Sequence, residues 1–306
     1  MYPPTGIQQQ NFFKEYIMLI PAWQYALSMT AYIVFLMFMV HFMRKHIRFA
    51  LVFWIVVPIV VIAGLFAGIF EIPGGWFRWA KTFSVLIPTA IVGIIRVANY
   101  EKKSGWWKAF RHDWVYWFFY LILFLNIAEA TAKDATLKNF ANALSGFILC
   151  ATIPFPPKYW KISKKEKGDL VAYTTVAWNF LYTSWNACFV FAENPGYFAS
   201  SVCILLAAEL YPLIIKRPEI YITARVYTLA FHMLARVFFV VIAGEHVDIF
   251  TPVMGSASWA NDSVVKWWGI ANAALHVPYL FWYLWQLHAR KDEASFARGK
   301  GSLDNA

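Results

Sequence analysis

Nine stretches of this 306-residue chain are apolar over a length that suits a membrane crossing, and that constrains the fold more than any other feature. They run approximately over 17–42, 49–70, 82–98, 114–130, 139–155, 170–192, 199–215, 221–243 and 264–287. A hydrocarbon core about 30 Å thick is crossed by about 20 helical residues. Helices in a soluble core keep a polar stripe toward water, and most of these runs have none. Charged residues make up only 14% of the chain, where a soluble domain carries about a quarter. In lipid the backbone must satisfy its own hydrogen bonds, so such runs predict helices. The expectation is an all-α, polytopic membrane bundle forming one domain over 1–306. It comprises an outer segment over 1–16, the bundle over 17–287 and a cytoplasmic tail over 288–306.

Helix-breaking sequences separate the runs: Ile72-Pro73-Gly74-Gly75, Pro154-Phe155-Pro156-Pro157, Asn194-Pro195-Gly196 and Lys216-Arg217-Pro218. The fifth run is among the shortest and is the most polar, with Asn139, Asn142 and Ser145. It is the span most exposed to revision.

Charge gives the orientation, because cytoplasmic loops carry the excess Lys and Arg. With nine crossings and the N-terminus outside, eighteen of the 27 Lys and Arg fall on cytoplasmic segments and six on outer ones. Arg96, Arg225 and Arg236 lie within runs. The net charge of +10 therefore reports topology and contact with anionic inner-leaflet lipid, not nucleic acid. The basic cluster from Lys158 to Lys167 reads as a lipid-facing loop. A plasma or bacterial inner membrane suits this pattern, and oligomerisation is compatible with it.

The first run is too long for a signal-peptide core and no basic segment precedes it, so no cleaved leader is expected. No soluble domain is expected at either end. Trp76-Phe77-Arg78-Trp79, Trp106-Trp107-Lys108 and Trp267-Trp268 fall at run ends, as interface anchors do. Cys188 and Cys203 read as two separate buried thiols. Gly64 and Gly68 form a G-x-x-x-G in the second run. Pro58, Pro88, Pro212 and Pro278 fall inside runs and are expected to kink them.

Ionisable groups inside a membrane mark function by default. Depth counting puts Glu209, His232 and His276 near the middles of the last three runs. Arg225, His232 and Arg236 are spaced i, i+7, i+11 on one helical face, and Asn272 and His276 are spaced i, i+4. Thr175, Asn179, Thr183 and Asn186 make a polar stripe on the sixth run. The substrate- or ion-binding candidates are Glu209, His232, Arg236, His276, Asn272, Arg225, Asn179 and Asn186. Interhelical bonding by the Asn and Thr side chains, and a neutralising Glu209–Arg236 pair, are the bland alternatives. A weaker outer vestibule comprises Glu129 and Asn126, with Glu71 and Asp134 read as ordinary solvated acids.

No Lys sits mid-run, which excludes a retinal Schiff base, and no H-E-x-x-H, G-x-S-x-G, P-loop or His-box pattern occurs. No metal site is expected. The polar interior favours a transporter or channel. The alternatives are a membrane enzyme acting on a lipid or isoprenoid, with His232 or His276 as acid–base, and a haem-binding or assembly subunit with His232 and His276 as axial ligands.

Overall fold

The computed structural model describes residues 20–68, 75–163, 167–243, 251–254 and 261–290, with backbone alone at 75–79, 239–243, 251, 254 and 289–290. Ten helices follow in order: α1 Ala22–Lys45, α2 Ile47–Phe66, α3 Gly75–Tyr100, α4 Trp114–Thr136 and α5 Phe140–Ala151, then α6 Val176–Glu193, α7 Phe198–Ile214, α8 Tyr221–Ala243, α9 Thr251–Met254 and α10 Asp262–Arg290. Between α5 and α6 the chain forms a two-stranded antiparallel hairpin, β1 Trp160–Ile162 and β2 Leu170–Ala172.

Among the described residues, five helical segments are long and apolar enough to cross a membrane: Ala22–Lys45, Ile47–Phe66, Ala80–Tyr100, Trp114–Thr136 and Pro195–Ile214. Their outer faces fit that reading. Leu27, Val34, Phe38, Val52, Ile59 and Phe66 all stand exposed, a surface that water would penalise and lipid accepts. The charged and amide side chains of Arg96, Asp134, Asn142 and Asn272 are instead buried at 0–1% exposure.

Two runs differ from the sequence expectation. The fifth becomes α5, whose 12 residues rise about 18 Å, short of the hydrocarbon core. The sixth opens as strand β2, and α6 begins only at Val176, where the Thr175 hydroxyl accepts a bond from the Trp178 amide at 2.9 Å. Pro58, Pro88, Pro212 and Pro278 all lie within continuous helices. Gly68 falls past the end of α2, so the G-x-x-x-G does not form one helix face.

The basic loop folds as a hairpin with a buried side and an exposed lysine side. Lys158, Lys161 and Lys167 are exposed, but Trp160, Leu170, Val171 and Ala172 are buried. Gly168 sits at φ +77°, and a Cβ there would meet the Arg96 carbonyl at 2.5 Å, so the turn docks only as glycine. Lys164 and Lys165 lie outside the described residues, as does Glu71.

Contacts sort into two ends of the bundle. At the hairpin end, Arg44 of α1, Arg96 of α3, Tyr211 of α7 and Thr223 of α8 meet the hairpin or one another. At the other end, Cys203 bonds to the Met29 carbonyl, Cys188 to the Val265 carbonyl, and Phe191 packs on Trp268. The two thiols thus serve different helices.

Candidate functional site

Three buried polar assemblies lie among the helices. The first is at the hairpin end. Asp169, at the start of β2, accepts a bond from Arg44 Nε at 2.7 Å, and Arg96 Nη2 lies 2.9 Å from its other oxygen. That second contact is charge proximity rather than an aligned hydrogen bond, since Oδ1 has no aligned donor among the described residues. Arg96 instead donates to the carbonyls of Met43 and Arg44, at 2.9 and 2.7 Å, and to the Tyr227 hydroxyl at 3.1 Å. Arg44 also donates to the Tyr211 hydroxyl at 2.7 Å, which lies 3.1 Å from His41 Nδ1. Two arginines and one carboxylate therefore tie α1, α3 and α7 to the hairpin.

The second assembly joins α4, α5, α6 and α10. Asp134 accepts from Asn142 Nδ2 at 2.7 Å and from Asn139 Nδ2 at 3.2 Å. Asn142 Oδ1 accepts from Asn272 Nδ2 at 2.8 Å, and Asn272 Oδ1 accepts from the Ser184 hydroxyl at 2.7 Å. Trp268 Nε1 donates to that hydroxyl at 3.2 Å, so it turns inward where an interface anchor would point out. Every donor in this chain points toward Asp134. Gly269 permits it: a Cβ there would lie 2.5 Å from Asn139 Oδ1. His276 Nδ1 donates to the Asn272 carbonyl at 2.7 Å, and Nε2 is buried without a partner among the described residues.

The third assembly lies between α6, α7 and α8. Thr183 donates its hydroxyl proton to Glu209 Oε2 at 3.1 Å, so the Tyr221 hydroxyl, also 3.1 Å away, donates to Thr183. Arg225 lies one turn after Tyr221 on α8. Its Nε and Nη1 are buried with no acceptor among the described residues. Asn179, one turn before Thr183, donates to the Pro218 carbonyl at 3.3 Å and keeps a buried, unpartnered Oδ1.

The sequence-expected residues thus separate. Glu209 belongs to the third assembly through Thr183, with Asn179 and Arg225 one helical turn from Thr183 and Tyr221, while Asn272 and His276 belong to the second. His232 Nδ1 lies 3.0 Å from the Tyr32 hydroxyl of α1. Arg236 sits 3.9 Å over the Tyr197 ring, and no Glu209–Arg236 ion pair forms among the described residues. His232 and His276 ride on helices with different main neighbours: α8 packs on α7, α3 and α1, and α10 on α5 and α6. Asn186 is half-buried on α6.

The residues of the expected vestibule lie at the surface. Glu129 is half-exposed and pairs with Lys81 at 3.3 Å, and Asn126 is exposed and bonds back to the Ile122 carbonyl. Asp134, read as a solvated acid, is fully buried. The Asp169 cluster was not foreseen; its sequence signal was Arg96, a lone charge inside a run. Among the described residues, no three His, Cys, Asp or Glu side chains group as metal ligands.

No family model, curated protein or solved structure matches the chain.

Proposed function

We propose that this chain is a multi-pass membrane transporter or channel for a small charged solute. It crosses a plasma or bacterial inner membrane with the N-terminus outside and the hairpin end in the cytoplasm. The carrying observation is Glu209: a buried carboxylate on a membrane-length helix, held by one neutral hydroxyl and by no cation among the described residues. Interhelical bonding alone does not require a carboxylate there, because an amide or hydroxyl serves as well. A carboxylate left this way is free to take a proton or a cationic group.

The position favours access from the cytoplasm. Glu209 lies five residues before Ile214 at the end of α7, and Arg225 lies four residues after Tyr221 at the start of α8. The test is flux in sealed liposomes carrying the purified chain, with a pH-sensitive dye inside and a panel of small charged solutes outside. Wild-type protein is expected to pass at least one solute or proton current. Glu209→Gln is expected to abolish it while leaving thermal unfolding within a few degrees. No flux under any imposed gradient, or full flux in Glu209→Gln, overturns the proposal.

A further inference from the structure

The link between α3 and α4 carries a seven-residue 3₁₀-helix, Gly105–Arg111, whose side chains sort by face. Such a helix repeats about every three residues, so side chains at i and i+3 stack along it about 6 Å apart. Trp107 and Phe110 form the half-buried face, and the Asn99 side chain donates to the Phe110 carbonyl at 3.2 Å. Trp106 and Ala109 form a second face, exposed and uncharged, and Lys108 and Arg111 a third, exposed and cationic. Trp106 is 60% exposed yet braced, its ring 4.2 Å from that of Trp107 and 5.8 Å from that of Phe110.

The aromatic side runs on into α4. The Phe110 ring meets that of Trp114 at 5.7 Å, and Trp114, Trp117, Leu121 and Leu125 stand exposed along one face of this membrane-length helix. The cationic face has no counter-charge of its own. Lys108 and Arg111 make no ion pair among the described residues, and Glu101 is taken by Arg48 and Lys103. Asp113, two residues past Arg111, is exposed and pairs with neither.

An apolar face with lysine and arginine beside it, at the head of a lipid-facing helix, suits the plane of an anionic leaflet. We infer that Gly105–Arg111 docks an anionic glycerophospholipid, its phosphodiester on Lys108 and Arg111 and its glycerol at the level of Trp106 and Trp114. Phosphatidylcholine brings an ammonium of its own to the same two cations and gains less from them. The site needs the chain to cross the bilayer and does not need the transport role, so lipid preference here and flux through Glu209 succeed or fail separately.

The test places a bimane label at Ala109→Cys, on the Trp106 face, in the full-length chain in nanodiscs, with the unsubstituted chain as background. The quenchers are phosphatidylglycerol and phosphatidylcholine at equal mole fraction, each with a nitroxide on an acyl chain near the headgroup. Phosphatidylglycerol is expected to quench at least about threefold more steeply, and less so as salt rises. Lys108→Gln with Arg111→Gln is expected to equalise the two lipids, each single variant to go part-way, and the thermal midpoint to report that all remain folded. Lys158→Gln with Lys161→Gln, on the hairpin, is expected to leave the preference in place.

Equal quenching in the wild-type turn, or no quenching by either lipid, overturns the inference. So does a preference that survives in the folded Lys108→Gln, Arg111→Gln variant, or one that the hairpin pair removes as fully. Loss of the wild-type preference to excess soluble glycerol phosphate would assign the cations to a free phosphate and also overturn it.

Discussion

At Asp169 a single buried carboxylate faces two guanidinium groups. Removing it leaves two buried arginines without their counter-charge, a change that typically costs about 3–5 kcal/mol. Asp169→Ala is therefore expected to lower the thermal midpoint in detergent far more than Lys161→Ala, at the exposed residue in the centre of β1. Equal midpoints would refute the role given to the cluster. Only half of this group was legible in the sequence. Arg96 stands out as a charge inside an apolar run, but Asp169 sits in an ordinary polar loop. Nothing local says that the loop folds back on α1 and α3. Asp134 was hidden for a related reason: α4 continues to Thr136, past the apolar run that ended at 130, and carries the acid inward. Glu209 stood out because it interrupts a run, and its hydroxyl partner Thr183 could be named only once α6 and α7 were placed.

At the level of elements, the apolar runs located most helices, because in lipid the backbone has few alternatives. The exceptions have local causes. Strand β2 occupies the start of the sixth run, where Thr174 and Thr175 precede the helix and Thr175 caps it. Thr175→Ala is expected to cost about 1 kcal/mol through the lost cap, read by thermal unfolding. Close contacts of α10 with α5 hinge on Gly269 and could not be anticipated from a lone glycine. Gly269→Val is expected to cost about 1–3 kcal/mol by pushing on Asn139 and breaking the bonds to Asp134. A loop contact adds a pH signature. Arg48 bonds to Glu101 at 2.6 Å and, with Lys103 at 3.1 Å, holds that carboxyl below its usual range. A carboxylate so depressed stabilises the fold above its ordinary range, and the effect disappears as pH falls through the lowered value. Glu101→Gln should therefore destabilise slightly at pH 7, by an amount that shrinks as pH falls below the ordinary carboxylate range. A difference that does not shrink with falling pH would contradict the ion-pair assignment.

For the whole molecule, charge and packing point the same way. The described contacts join the hairpin to Arg44 and Lys45 at one end of the bundle, and Met29 to Cys203 and Cys188 to Val265 at the other. Apolar side chains face outward on α1 and α2, while arginine, aspartate and asparagine face inward. That inversion is how a bundle solvated by lipid arranges itself. The most direct measurement is the sidedness of single cysteines in sealed cells, probed with a membrane-impermeant thiol reagent. Lys102→Cys and Lys167→Cys represent the hairpin end, and Glu129→Cys and Lys138→Cys the opposite end, each over the background of the three native thiols. The expected result is labelling of Glu129→Cys and Lys138→Cys in intact cells, and of Lys102→Cys and Lys167→Cys only after permeabilisation. Labelling of all four from the same side would contradict a membrane-spanning bundle with its polar site opening at the hairpin end.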